Sequence, residues 1–250
     1  MNDKLENELK IARQELAALK IEYDEFVYIV SHDLSAPLRQ IEGFSEIIVS
    51  RHADSFDEKT KRHLALIQGG SNQAKSILEA IRSYSHLNTM TQPFVLLDLN
   101  KIVSDTKVKL LAMFDEVSAS ITCNNLPEII GDPKKITLLF ECLIHNALTY
   151  QPQKQHCNIN ITAIEQTNDW QFCITDNGIG VDEKVQKKIF KVLKRGVSDK
   201  KFPGLGMGLA IVNKILQQHK GRIWLESNNN GGSAFYFTIP KHLTKGLSNE

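Results

Sequence analysis

Residues 204–211 have the sequence GLGMGLAI, and an apolar helical pattern follows over Val212–His219. Glycines placed directly before a helix leave bare backbone N–H groups at its positive end, where they can face a phosphate. The glycines alternate with other residues and no strand leads directly into them, so the segment does not match the dinucleotide-binding fingerprint. Taken alone, it is equally compatible with a flexible loop.

Two polar features upstream can likewise be interpreted either as part of a ligand site or as ordinary structure. The segment DNGIG (residues 176–180) follows an apolar strand predicted over 170–175, and its glycines allow a sharp turn and close approach of a ligand to the backbone. Asn146 lies on an otherwise apolar helix predicted over Pro133–Tyr150, and its carboxamide oxygen suits a hard cation such as magnesium. An ordinary turn and a core hydrogen bond are the respective alternatives.

A fourth segment is SHDLSAPLR, residues 31–39. His32 falls away from the apolar stripe of its helix, because each residue advances about 100° around the axis. An exposed His beside an acid is usually only a surface residue. The order of the four segments is therefore more informative than any one of them.

Residues 5–30 carry an apolar heptad pattern in which steps of four and three residues alternate. This heptad seam predicts a coiled coil and a homodimer. Past Val30 the spacing shifts like a stutter, and Pro37 is expected to bend the helix without ending it. The seam positions are Leu5, Leu9, Ala12, Leu16, Leu19, Tyr23, Phe26 and Val30.

A polar break at residues 52–57 precedes a second amphipathic helix, whose apolar positions run from Leu64 to Leu87. Two long helices joined by a short turn form an antiparallel hairpin, and two hairpins pair into a dimeric four-helix bundle. Residues 89–93 are predicted to be a linker.

A different pattern begins at Phe94 and indicates an α+β layer, in which helices cover one face of a sheet. No repeat or low-complexity tract interrupts it. Helices are predicted over 100–117 and 133–150, and mostly antiparallel hairpins join 158–164 to 170–175 and 222–227 to 233–239.

Composition excludes several classes of protein. The 250 residues carry 30 basic and 29 acidic side chains, a net charge of +1, which argues against a nucleic-acid partner held by bulk electrostatics. The chain lacks both an apolar run of about 18 residues and an apolar N-terminal signal, so we expect no membrane span and a cytoplasmic location. The four cysteines form no CxxC pair and are expected to be reduced and mostly buried.

Together the segments resemble the sensor histidine kinases of two-component signalling, over nearly the whole chain. Residues 31–39 resemble the phospho-acceptor box of that family, the surroundings of Asn146 its N box, 176–180 its first glycine box, 189–193 its F box and 204–209 its second glycine box. Five motifs in the family's order argue against chance agreement.

The resemblance implies four segments of chain. They are a coiled-coil signalling helix (1–30), a dimerisation and phospho-acceptor hairpin (31–92), an α/β sandwich ATP-binding domain of the Bergerat type (93–245) and a tail (246–250).

The resemblance also implies a role for each matching residue. His32 is the nucleophile that attacks the γ-phosphate of ATP, and Asp33 orients or deprotonates its ring. Asp176 accepts a hydrogen bond from the adenine amino group, Asn146 holds Mg²⁺, and Tyr150 covers the adenine ring. The other ATP contacts fall on residues of the two glycine boxes: Gly178, Gly180, Gly204, Gly206, Gly208 and Leu209.

Four cations, Lys194, Arg195, Lys200 and Lys201, lie between the F box and the second glycine box, where a triphosphate is expected. Solvated surface charge is the alternative for each of them.

Three positions depart from the family pattern. Cys142 stands where the kinases usually have a second Asn and the related ATPases a Glu that activates water, which disfavours direct ATP hydrolysis. Thr149 stands where Lys is frequent. Ala36 stands where Thr or Asn often orients the water that dephosphorylates a partner, so we expect little phosphatase activity.

The main hypothesis is therefore a kinase that phosphorylates His32 and passes the group to an aspartate of a separate response regulator, under an upstream sensor not found in this chain. Phosphorylation within one subunit and between two are both compatible with the sequence. A degenerate kinase acting as a dimeric scaffold, and a gyrase-like ATPase, are the alternatives.

Overall fold

The computed structural model describes residues 2–52, 55–88, 92–152, 156–196, 202, 204–227 and 231–242. Its internal contacts divide the chain into two units, residues 1–89 and 90–250. Several features predicted above lie wholly or partly outside the described residues: parts of the turn and linker, Lys200, Lys201 and the tail. No helix in the described ranges is long and apolar enough to cross a membrane.

The first unit is a pair of helices, α1 (Asn2–His52) and α2 (Glu58–His86). Asp57 caps the start of α2, because its carboxylate accepts the N–H of Thr60 at 2.8 Å. Pro37 lies inside α1, which continues past it as predicted.

The two helices run antiparallel. The Ser71 hydroxyl, in the middle of α2, donates to the Leu38 carbonyl of α1 at 3.0 Å, and the Ser85 hydroxyl, near the C-terminal end of α2, donates to Asp24. Positions later in α2 therefore contact positions earlier in α1, which confirms the predicted hairpin.

The part of the heptad seam from Leu9 to Phe26 is solvent-exposed in the single chain. Beside α2, the seam residues Tyr23 and Phe26 are 52% and 62% exposed, while Val27, which is not a seam position, is buried. The hairpin therefore covers a different stripe of α1 and leaves the seam uncovered.

Within the described residues of the second unit, seven strands form two sheets. The two-stranded sheet pairs β1 with β3, and the five-stranded sheet has the order β2-β4-β5-β7-β6. The strands are β1 (Val95–Asp98), β2 (Ser120–Cys123), β3 (Glu128–Gly131), β4 (Asn158–Glu165), β5 (Asp169–Asp176), β6 (Ile223–Ser227) and β7 (Ser233–Pro240).

The helices of this unit confirm the α+β class and correct two details. The predicted helix over 100–117 is two helices that break at Leu110, and the helix after the glycines begins at Gly208 rather than Val212. The predicted antiparallel hairpins form, and β2, which was not predicted, pairs with β4 in parallel. The helices are α3 (Leu99–Lys109), α4 (Leu111–Glu116), α5 (Pro133–Thr149), α6 (Glu183–Gln186) and α7 (Gly208–Gln218).

The core lies between the five-stranded sheet and the helix layer. Phe172 of β5 stacks on Phe237 of β7 at 4.8 Å between ring centroids, and Phe140 of α5 meets Phe237 edge-on at 6.0 Å. All three side chains are fully buried. Burial of these rings helps to pack α5 on the sheet.

A buried polar cluster fixes where α5 begins and α7 ends. The Asp132 carboxylate caps α5 by accepting hydrogen bonds from the N–H groups of Lys134 and Lys135. The backbone N–H of Asp132 donates to Nε2 of His219 at 3.1 Å. The ring of His219 stacks on Phe94 at 4.7 Å. This cluster ties both helices to the first residues of the unit.

The cysteines are free thiols, as predicted, but their burial varies. Cys157 is buried, Cys142 and Cys173 are half-buried and Cys123 is exposed. The prediction of mostly buried thiols is wrong for Cys123, which lies at the end of the edge strand β2.

Candidate functional site

A cavity of about 380 Å³ opens between α5 and the start of α7 in the second unit. We call it the α5–α7 cavity. It gathers nearly all of the site residues predicted in this unit: Asn146, Tyr150, Asp176, Gly180, Lys194, Arg195, Gly204, Gly206, Gly208 and Leu209.

Asn146 and Gly208 face each other across the middle of the cavity. A Cβ atom at Gly208 would lie 3.8 Å from Asn146 Oδ1 and 3.8 Å from the Cβ of Cys142. The first residue of α7 therefore presents bare backbone beside a carboxamide oxygen. An anion at the helix start and a hard cation at Asn146 both suit this pair.

Asp176 ends β5 and points into the cavity. Its Oδ1 accepts the N–H of Gly178 at 2.8 Å and the N–H of Ser233 at 3.3 Å. Burial raises the pKa of this carboxyl to about 6, although both N–H donors favour the ionised form. The second oxygen is free of described partners, and a ligand N–H would satisfy it.

Gly178 is the predicted site residue of this unit that does not line the cavity. A Cβ atom there would lie 2.4 Å from the carbonyl oxygen of Tyr150, which accepts the N–H of Ile179 at 3.0 Å. Gly178 therefore lets the DNGIG turn pack against the end of α5. It shapes the site without lining it.

Gly231 and Gly232, at the start of β7, give a matched pair for a stability test. Both have positive φ, 88° and 84°, but only Gly232 is crowded, since its Cβ would lie 1.9 Å from the carbonyl oxygen of Asp176. We expect Gly231→Ala to lower the free energy of unfolding by about 1 kcal/mol, and Gly232→Ala by at least about 3 kcal/mol. Urea unfolding of the two variants checks this, and equal losses would contradict the close approach.

Arg195 contacts Phe202 on the side of the cavity where the second glycine box lies. Its guanidinium donates to the carbonyl of Phe202, and the Phe202 ring lies 5.4 Å from the Tyr150 ring. Gly206, at φ 70°, leaves room for the carbonyl of Lys194. Arg195 thus fastens the segment that carries the glycines, a role that the sequence did not suggest.

The two departures on α5 also line the cavity. Burial raises the pKa of the Cys142 thiol to about 12, so it stays protonated and cannot act as a base. The Thr149 hydroxyl donates to the carbonyl of His145 at 2.8 Å, within its own helix. Neither side chain supplies the group found at these positions in the resembling family.

Other lining residues were missed from the sequence. His145 and Leu138 lie on α5, Leu110 lies at the break between α3 and α4, and Phe235 lies on β7. Burial lowers the pKa of His145, so its ring is neutral. Only the helical spacing from Asn146 offered a signal for the α5 residues, and none was available for the others.

The remaining predicted pair lies in the first unit. His32 and Asp33 are exposed on α1, with His32 Nδ1 at 3.0 Å from Asp33 Oδ1 and side-chain exposures of 70% and 71%. Residues adjacent on a helix point about 100° apart, so this contact was not expected from helix geometry. It leaves Nε2 as the accessible nitrogen.

The α5–α7 cavity thus lies between a helix that bears Asn146 and a glycine-rich helix start. Residues 131–243 match the family described as Histidine kinase-, DNA gyrase B-, and HSP90-like ATPase. The chain is 30% identical, over 97% of its length, to the adaptive-response sensory kinase SasA of Prochlorococcus marinus, and covers 68% of that protein. The chain therefore belongs to the histidine kinase family.

Two further similarities set the scale of the match. The chain is 32% identical, over 86% of its length, to Phytochrome-like protein Cph1 of Synechocystis sp., but spans only 29% of that protein. Histidine kinase ThkA, solved in complex with response regulator protein TrrA, shares the fold with a TM-score of 0.58 and 20% identity, covering 89% of this chain and 64% of ThkA.

Proposed function

We propose that this chain transfers the γ-phosphoryl group of ATP to His32 and then to an aspartate on a separate response regulator. The observation that carries the proposal is the α5–α7 cavity, where Asp176, Asn146 and the bare start of α7 meet. These groups match, in order, an adenine amino group, a cation and a triphosphate.

Each part of the nucleotide has a partner in this proposal. Asp176 accepts the adenine N–H, the Tyr150 ring covers the base, and the N–H groups from Gly204 to Leu209 take the phosphates. Lys194 adds positive charge beside them. The Arg195 guanidinium donates to the carbonyl of Phe202, whose ring lies beside Tyr150, so Arg195 also supports the residue next to the base.

A magnesium site fits the same cavity. Asn146 would hold Mg²⁺ through its carboxamide oxygen, which faces the open backbone of Gly208 instead of a side chain. Bound Mg²⁺ neutralises phosphate charge.

At His32, the reaction makes one bond and breaks another. Asp33 accepts a hydrogen bond from Nδ1–H, so Nε2 keeps its lone pair and attacks the γ-phosphorus, and the Nδ1 proton passes to Asp33 as the N–P bond forms. The new N–P bond replaces the bond between the γ-phosphorus and the bridging oxygen, and ADP leaves with that oxygen.

The phosphoryl group then passes to a partner. ThkA has been solved with a response regulator, and its fold likeness to this chain supports a receiver domain as the acceptor. We place the stimulus in an upstream sensor, since the chain matches less than a third of its phytochrome relatives. The cytoplasm supplies ATP and is the compartment that we propose.

Little phosphatase activity is expected in return. Ala36 is exposed one helical turn after His32 and has no polar atom to orient a water molecule. A phosphorylated cognate regulator should decay at the same rate with and without this protein, as followed by Phos-tag gels. Ala36→Thr is the matched variant, and accelerated decay with the unaltered protein would contradict the proposal.

A homodimer completes the proposal, because the exposed heptad seam needs a partner. Leu16→Glu with Leu19→Glu should weaken the dimer by at least about tenfold, since both place charge in the seam. Gln14→Glu with Ala18→Glu adds the same charge off the seam and should leave the dimer intact. Light scattering over a concentration series measures both, and an unchanged state in the seam variant would show that the bundle alone holds the dimer.

A dimeric scaffold without activity is the second candidate, favoured by Cys142 and by the engaged hydroxyl of Thr149. Titration calorimetry with Mg-ATP separates the two functions. The kinase proposal expects saturable binding at one site per chain, and absence of heat at millimolar nucleotide would favour the scaffold.

A further inference from the structure

One helical turn before His32, an aromatic ring lies against the imidazole. The rings of Tyr28 and His32 are nearly parallel, at an interplanar angle of 20° with centroids 6.3 Å apart. This distance lies in the range of interacting aromatic pairs. Both residues are on α1 at a spacing of four, which places them on the same face.

The second helix of the hairpin reaches the same ring. The guanidinium of Arg82, on α2, lies over the Tyr28 ring at 5.4 Å from its centroid, and Arg82 Nε lies 3.4 Å from Nε2 of His86. A guanidinium over a tyrosine face is an attractive contact that restricts the ring. Tyr28 is therefore held from α2 while it faces His32.

Asp33 alone does not fix the imidazole. The single contact from Nδ1 to Asp33 lets an exposed ring turn about its side-chain bonds, and both neutral tautomers then become accessible. A neighbouring aromatic ring that lies nearly parallel to the imidazole restricts this rotation. Tyr28 supplies such a ring on the side of the preceding turn of α1.

We propose that Tyr28, held by Arg82, is a positioning residue for the nucleophile. It keeps the His32 ring against Asp33, so that Nδ1 carries the proton and Nε2 is presented to the phosphorus. Loss of this orientation slows the chemical step without changing ATP binding, because the nucleotide binds in the other unit. The inference rests on the proposed role of His32 as phospho-acceptor.

The first test is kinetic and uses the full chain. Tyr28→Ala should lower the rate of His32 phosphorylation at saturating ATP about tenfold, with an unchanged KM for ATP. Tyr28→Phe should keep the wild-type rate, since the aromatic ring and not the hydroxyl restricts the imidazole. Ile29→Ala, which removes an exposed side chain from the same turn, is the matched control and should keep the wild-type rate.

The second test measures the tautomer of the His32 ring directly. Nitrogen-15 NMR of the ring should show mainly the Nδ1–H tautomer of His32 in the unaltered chain and in Tyr28→Phe. In Tyr28→Ala it should show a mixture of both tautomers. A loss of activity caused only by weaker hairpin packing would leave the tautomers unchanged.

Failure of this inference and failure of the proposed function give different results. A wild-type rate and tautomer in Tyr28→Ala, or an equal loss in Ile29→Ala, overturns the inference. Absence of His32 labelling in the unaltered chain overturns the proposed function instead, and the NMR comparison still decides the role of Tyr28.

Discussion

Replacement of Asp176 by Asn is expected to weaken ATP binding by about 2 to 3 kcal/mol, or about 30- to 150-fold. The two N–H groups of Gly178 and Ser233 already bind Oδ1, so the amide oxygen of Asn is drawn to that side. The amide NH₂ then faces the adenine amino group, and two donors meet. Titration calorimetry with Mg-ATP measures the loss.

Asp182→Asn is the matched control for this prediction. Asp182 caps α6 through the N–H of Lys184 at 2.8 Å and does not line the α5–α7 cavity. Its variant should bind ATP with wild-type affinity. Affinity of Asp176→Asn within about twofold of the unaltered protein would show that Asp176 does not recognise the base.

The same carboxyl gives the binding a pH dependence. The pKa of Asp176 is raised to about 6 by burial, whereas a bound adenine N–H stabilises the ionised form and lowers the pKa again. Binding therefore releases a proton near this pH. Affinity for ATP should fall as the pH drops below about 6, and Asp176→Asn should lose that component.

Much of the candidate site could be predicted because its polar residues and glycines belong to short, continuous segments of sequence. Asp176, Asn146 and the glycines lie at places where strand or helix periodicity is interrupted by a polar or small residue. Such interruptions carry a cost in folding, and a ligand role offsets it. The contacts of Phe202 and Phe235 have no such signature, since apolar residues on a strand or loop are ordinary.

The fold was predictable to the same degree and for the same reason. The long helices and the strands β4, β5 and β7 have clear periodicity, whereas β1, β2 and β3 are four residues each, too short for a pattern to emerge. The break at Leu110 and the parallel pairing of β2 with β4 depend on contacts between residues distant in sequence. Helix initiation at Gly208 was missed because glycine is a weak helix former and the apolar helical pattern was read only from Val212 onward.

Arg195 lines the cavity, as its place in the sequence predicts, and also makes a contact that the sequence did not indicate. Its position between the F box and the glycines suggested a phosphate contact. Its guanidinium donates to the carbonyl of Phe202, whose ring lies beside Tyr150. This contact joins residues seven apart across a loop, so no local pattern predicts it, and the phosphate contact stays a prediction.

The most direct test of the central claim is phosphoryl transfer to one side chain. The unaltered chain, incubated with Mg²⁺ and γ-labelled ATP, should acquire label that is stable in base and lost in acid, as a phosphohistidine is. His32→Gln should acquire none, since glutamine has no nucleophilic ring nitrogen, while His63→Gln, at an exposed position of α2, should be labelled as the unaltered chain is. Label retained in His32→Gln would contradict the account.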